Sequence, residues 1–503
     1  MSPAPAVPPV GSPALRLTWV QPEDLLGHEL RQAAEDRRDA GAVARVADRW
    51  RTAGGAPAPV RAGAATTPAT PELRALATEL IDELAELTPS EADEEPTELP
   101  AIKALCGASW PSPGPTAEAG LDRLHAAWLG RAVGCLLGKP VEKLPLTGIR
   151  ALARATGNWP LTGYFTARGL SPVLSAAYPW NRRSAATSLA ENIDGMPEDD
   201  DLNYPLLNLE LLRRYGPDFT TRDVAALWLD ELPAGRTFTA ERVAYRNLLD
   251  GVEPPRTARR RNPFREWIGA LIRADVHGLT HPGDPGAAAE QAHRDAVLTH
   301  TANGVYGAMF AAATIASAAS GTADVHRALR AGLAVVPPGS RLARAVRHGI
   351  RLARTHTAFD TVVDTLHAAY GEHHWVHVVP NAALLAAALT HADGDFDGSV
   401  TRAVSGGWDT DSVGATAGAV AGLLAGSADA IDERWTAPLK NQLTTSVCDF
   451  NGIGFDELAR LTALWAGVPQ GGTGGHNANA PSALNDKPGP HPQGPACTTH
   501  PHP

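Results

Sequence analysis

Ser405-Gly406-Gly407-Trp408-Asp409-Thr410-Asp411-Ser412-Val413-Gly414-Ala415-Thr416-Ala417-Gly418 is the stretch on which the fold turns. Paired glycines let a chain reverse tightly, and two carboxylates and a hydroxyl follow at once. The run of Val, Gly, Ala and Thr after them predicts a helix with a surface so thin that another helix can lie directly on it. Closely spaced oxygen donors at a turn suit a divalent cation. The same residues also make a capping loop, with Asp411 or Ser412 as N-cap. No Gly-Lys-Ser/Thr follows, which excludes a phosphate loop.

Outward from that stretch, residues 117–467 show helical periodicity and few runs of strand alternation. Helices are expected over 205–215, 263–278, 286–298, 304–319, 323–335, 340–355, 380–391 and 411–425. The class predicted is all-α, an orthogonal multi-helix bundle. Residues 1–115 read as a separate helical appendage with Pro/Ala-rich linkers. Within it we expect a disordered start (1–15), a short anchor and one helix from Trp19 to about Trp50, and a linker over 52–72. A helix over Glu72–Leu87, a solvated acidic loop over 91–98 and a second linker over 110–116 follow. Residues 468–503, rich in Gly, Pro, Asn and His, read as a disordered tail.

Two further segments carry chemistry. Met196-Pro197-Glu198-Asp199-Asp200-Asp201-Leu202-Asn203-Tyr204 precedes an amphipathic run. Successive aspartates repel one another, so burying them together calls for a cation. An acidic N-cap favoured by the helix dipole is the alternative, although one aspartate suffices for that. Gly130-Arg131-Ala132-Val133-Gly134-Cys135-Leu136-Leu137-Gly138-Lys139-Pro140-Val141-Glu142 is a glycine-studded helix ending near Pro140. Glu142 just beyond it is either a proton carrier beside a metal or a surface residue.

These segments, in this order, resemble the ADP-ribosylglycohydrolase family over roughly residues 120–465. Gly134-Cys135-Leu136-Leu137-Gly138 stands where that family has a Gly-Asp-Ala-Leu-Gly-like helix, and Glu142 matches the glutamate after it. Asp199-Asp200-Asp201 is similar to its Thr-Asp-Asp motif, and Gly406-Gly407-Trp408-Asp409-Thr410-Asp411-Ser412 to its Gly-Gly-Asp-Thr-Asp-Thr motif. The resemblance makes 116–467 the catalytic domain of an N-glycosyl hydrolase that releases ADP-ribose from protein, nucleic acid or a small molecule. It implies two Mg²⁺ ions, or Mn²⁺, held by Asp199, Asp200 and Asp201 on one side and Asp409, Asp411 and Ser412 on the other. Asp200, Asp409 and Glu142 would act in the chemistry, with Glu142 as proton carrier or gate.

The chain departs from the pattern at Cys135, where aspartate is common, at Asp199, where threonine is usual, and at Trp408, which splits the Gly-Gly-Asp run. The family's Gly-Asn-Gly-Ala-x-Met-Arg substrate loop is echoed by Trp267-Ile268-Gly269-Ala270-Leu271-Ile272-Arg273 around Gly269. Asn262 or Asn303 would replace its asparagine, and Leu298-Thr299-His300 places His300 near the cleft. Trp408 is read either as a stacking partner for a base or ribose or as a core tryptophan. Another ribosylated or nucleoside-like substrate, or a non-catalytic module that binds ADP-ribose, are the other functions such a chain could serve.

Bulk properties narrow the classes. At 503 residues, 44% hydrophobic and 20% charged, the chain can bury a large core. A net charge of −11 argues against general nucleic-acid binding, and the run Arg256–Arg261 reads as a solvated loop. Cys106, Cys135, Cys448 and Cys497 form no CxxC pair, so no disulfide scaffold is expected. No signal peptide or membrane span is legible, which makes the cytoplasm the expected location. Alanine, arginine and proline outweigh lysine, as in a GC-rich bacterial genome. Asp393–Gly398 begins like an EF-hand loop, but its twelfth position is Val404. The histidines of Gly371–His377 have no carboxylate or cysteine at zinc-ligand spacing, so we expect packing and hydrogen-bonding roles. The oligomeric state is not legible.

Overall fold

The computed structural model describes residues 19–56, 62–64, 69–90, 92–111 and 119–466. The expected disordered ends and most of the second linker lie outside the described residues. Helices dominate, and among the described residues no strand forms; only isolated bridges join Met196 to Leu443 and Trp267 to His377. The fold is all-α.

Its axis is one helix pair. Leu121–Gly138 and Thr410–Ala425 are buried along almost their whole lengths. Gly130 faces Gly418, Gly134 faces Gly414 and Gly138 faces Thr410, so the two run antiparallel. The approach is backbone to backbone: a Cβ on Gly134 would lie 1.9 Å from the Gly414 carbonyl oxygen. This geometry sets the end of one helix, with Lys139 to Glu142, beside the start of the other, with Asp409 to Ser412.

A third helix, Asp200–Tyr215, brings its N-terminus to the same place, with Asp199 as N-cap accepting from the Asp201 amide at 2.9 Å. Pro205 sits inside this helix and has no N–H to offer the Asp201 carbonyl. Arg131 Nε donates to that carbonyl instead, at 2.7 Å. The missing hydrogen bond thereby becomes a joint between two helices.

Most expected helices form, including Ala302–Ala319 and Val378–His391. The span 263–278 differs: it holds a 3₁₀ helix, Ile268–Arg273, and a short helix, Asp275–Leu279. It starts as a turn that ends in extended backbone at Trp267, where the Ile268 amide donates to the Val376 carbonyl and the Val378 amide to that of Glu266. The single helix expected after Trp19 is two, Pro22–Glu35 and Ala40–Thr52; Arg37 turns with φ 52° between them and Asp39 caps the second. The acidic loop is not wholly solvated either. Glu95 is buried and accepts from Arg341 Nη2 at 2.6 Å.

The N-terminal helices have a core of their own, Leu25, Leu26, Leu80 and Ile81 among others, which closes on Phe264 and Trp267. Arg265 fastens it through Glu29 at 2.8 Å and Asp36 at 2.6 Å, both buried. Asp395 caps the helix Phe396–Ser405 by accepting from the Gly398 amide at 2.8 Å, which is the role of the EF-hand-like turn. No helix among the described residues is long and apolar enough to cross a membrane.

Candidate metal centre

The three helix ends converge on a cavity of about 1550 Å³ whose wall includes Lys139, Glu142, Asp199, Asp200, Asp409, Asp411 and Ser412. Asp200 and Asp409, some two hundred positions apart in sequence, therefore share one pocket. Donor atoms of Glu142, Asp409 and Asp411 lie within 4.8 Å of one another, as do those of Cys135, Asp199 and Asp201. Ser412 Oγ lies 3.4 Å from Asp201 Oδ2 and links the two groups.

Local structure leaves these carboxylates available. Asp409 is the N-cap of its helix, but its side chain makes no capping bond. Its amide is held by Asn381 Oδ1 at 3.1 Å, and Asp411 Oδ1 accepts from the Ser412 amide at 3.1 Å. Glu142 accepts from Asn181 Nδ2 at 2.5 Å and pairs with Lys143 Nζ at 2.5 Å. Two helix N-termini point at the cluster, and their dipoles favour negative charge there.

Crowding has a protonation cost. Burial, then the charge of Asp199, pushes Asp200 and Asp201 well above the usual carboxylate range. Burial and then Asp411 do the same to Asp409, while burial and then Glu142 push Asp411 up to about 7. Asp199 differs: burial works against its charge, but Lys139 overcomes this and holds it below the usual range. Burial and Asp199 raise the Cys135 thiol well above its ordinary value. A buried oxygen-rich set whose members repel one another in this way fits a hard divalent cation.

Other expected site residues lie elsewhere. Gly269 lines the cavity, and a Cβ there would strike Glu241 Oε1 at 2.0 Å. Asn262 is buried, donates to the Ala258 and Thr299 carbonyls at 3.0 and 2.9 Å, and braces a turn outside the cavity wall. Asn303 is spent on Glu95 and Glu266 at the join with the N-terminal helices. His300 is fully buried with Nδ1 2.6 Å from Thr299 Oγ1. Trp408 has φ 56° and stacks on His367 at 3.8 Å between centroids, while His367 Nε2 donates to the Gly406 carbonyl. None of these four lines the cavity.

Sequence reasoning passed over Lys139, Lys143 and Asn181, and the aromatic wall of Trp19, Trp267 and Trp375. Lys139 had a signal, as a charged residue directly after a helix of glycines and apolar residues. Trp19, which comes from the N-terminal segment, had none. The histidines of 371–377 do meet a carboxylate, since Glu35 joins His373 and His377 in a third group. However, the Val379 amide donates to His377 Nδ1 at 3.2 Å, so Nε2 carries the hydrogen. That nitrogen faces Glu35 at 3.4 Å and Glu266 at 3.6 Å, so the group lies at the join with the N-terminal helices.

A family model described as ADP-ribosylglycohydrolase matches residues 116–470. Among solved structures, an "ADP-ribosylglycohydrolase-related protein complex" is 23% identical, with a TM-score of 0.41, covering 69% of this chain and 97% of that one. No curated protein matches the chain.

Proposed function

The chain belongs to the ADP-ribosylglycohydrolase family and is a glycohydrolase; from that premise we propose that it releases ADP-ribose from an ADP-ribosylated protein, nucleic acid or small molecule with the help of Mg²⁺ or Mn²⁺. The observation that carries this reading is the meeting of Glu142, Asp200, Asp409 and Asp411 on one cavity wall. The cavity, at about 1550 Å³, exceeds the usual small-ligand pocket and has room for a dinucleotide-sized group and what it is attached to.

In this reading Asp200, Asp409 and Asp411 hold the cation, and Asp199, Asp201 and Ser412 shape the wall behind them. A cation held there would supply Lewis acidity for orienting the ribose hydroxyls and for lowering the pKa of a water. Glu142 takes a proton from the attacking water, because Asn181 and Lys143 fix its two oxygens at the cavity mouth. Trp375 offers an apolar wall for the base. The N-terminal segment contributes Trp19 to the same wall.

Release assays decide the matter: ADP-ribosyl-arginine, ADP-ribosyl-serine, O-acetyl-ADP-ribose and simple nucleosides, each with Mg²⁺, Mn²⁺ or chelator. Cation-dependent release of ADP-ribose from one of the first three is expected. Release from none, together with tight binding of ADP-ribose in calorimetry, would make the chain a binding module. A nucleoside-like substrate is the second reading, favoured by the positions of Asn262, Asn303 and Trp408 outside the cavity wall. Glu142→Gln with full activity and normal metal binding would remove Glu142 from the chemistry.

A further inference from the structure

The family resemblance implies two cations, but the two donor groups of this cavity are not alike. Cys135, Asp199 and Asp201 already hold positive charge. Lys139 Nζ contacts Asp199 Oδ2 directly and donates to the Glu198 carbonyl at 3.3 Å. The Lys139 side chain is 8% exposed and the Asp199 side chain 9%, so the pair is enclosed. On the other flank Arg131 Nη2 lies 3.5 Å from Asp201 Oδ1, with its Nη1 on Asp275 at 2.7 Å. The remaining donor, Cys135, is a sulfur, poorly matched to hard ions.

The group of Glu142, Asp409 and Asp411 has oxygen donors only. The lysine in contact with it, Lys143, pairs with Glu142 from a side chain that is 36% exposed, with its ammonium 5.8 Å from the centre of the Trp375 ring. A long, partly solvated ammonium moves more readily than a buried one. A dication brought beside a fixed ammonium is repelled twice as strongly as a monovalent ion.

We propose that Lys139 takes the place of one of the two cations, so that this pocket holds a single divalent ion, on Asp409 and Asp411 beside Glu142. This rests on the metal-dependent reading of the same site. Lys139 neutralises Asp199 permanently, keeps that half of the cluster assembled without a cation, and leaves one ion to engage substrate.

Equilibrium dialysis of the full chain with Mn²⁺, followed by electron paramagnetic resonance of the bound ion, tests this. The unaltered protein should bind one Mn²⁺ per chain and give the spectrum of an isolated ion. Lys139→Met should bind a second, with the broadening of a coupled pair, while Lys139→Arg should stay at one. Two ions in the unaltered protein would overturn the proposal and leave the metal-dependent reading standing. No bound ion would overturn both. If Lys139→Met folds, as judged by circular dichroism, and still binds one, Lys139 is not what excludes the second. Should that variant fail to fold, the count in the unaltered protein still decides.

Discussion

Replacing Gly134 by alanine tests whether the helix pair sets the geometry of the metal centre. The new Cβ would sit 1.9 Å from the Gly414 carbonyl oxygen and 2.3 Å from its carbon. Ordinary contact begins near 3.4 Å, so Leu121–Gly138 and Thr410–Ala425 would have to part by about 1.5 Å. Both neighbours are backbone, with no flexible side chain to turn aside. Overpacking of this kind costs up to about 3 kcal/mol. Alanine's better helix propensity offsets about 1 kcal/mol, leaving a net loss of about 2 kcal/mol. In a unit this large that corresponds to a fall in Tm of about 2–4 °C by scanning calorimetry. Gly235→Ala is the control, since nothing lies within 4 Å of a Cβ there. Parting the helices also moves Asp411 away from Glu142, so Mn²⁺ should bind at least about tenfold more weakly, as when a centre loses its supporting contacts. A Gly134→Ala protein that melts at or above the parent temperature with unchanged Mn²⁺ affinity would refute the reasoning.

Other outcomes follow from the same contacts. Asp409→Asn should abolish cation binding in calorimetry and reduce ADP-ribose release by more than about 100-fold, beyond the usual effect of an outer-shell change; retained cation affinity would exclude Asp409 as a ligand. The metal-free protein should lose stability as pH rises from 3.8 to about 7. Asp411 binds its proton more tightly folded than unfolded across that window, so the folded state is favoured below it and penalised above. Chelator-treated melts that rise over the same range would contradict this, and added Mg²⁺ should cancel the loss at the upper end. Arg265→Ala would leave Glu29 and Asp36 buried with a lost partner, a cost of roughly 3–5 kcal/mol in denaturant titration. A change under about 1 kcal/mol would mean that the N-terminal helices are held by their apolar core alone.

The all-helical class was legible because small and apolar residues recur at helical spacing over most of 117–467. Helix ends were harder. Residues 263–278 carry a helical pattern, yet the Ile268 and Val378 amides take backbone partners from distant chain and hold a bridge at Trp267 where the helix would run. Asn262, His300, Asn303 and Trp408 were chosen as polar or aromatic residues near a motif. Their partners, among them Ala258, Thr299, Glu95 and His367, could be known only once the chain had folded. Trp19 reaches the cavity from a segment in which no local pattern pointed to the site.

The sequence by itself determined which residues could carry the chemistry. Carboxylates beside glycine turns and helix starts keep their local geometry wherever the helices go, and glycines at every fourth place already require a close neighbour. Only the tertiary structure decided which of these side chains face one another. Antiparallel packing of Leu121–Gly138 on Thr410–Ala425 puts Glu142 beside Asp411, and the reach of one lysine stem puts a charge on Asp199. Charges act through space over a few ångströms, so their balance is fixed by separations that chain position does not encode.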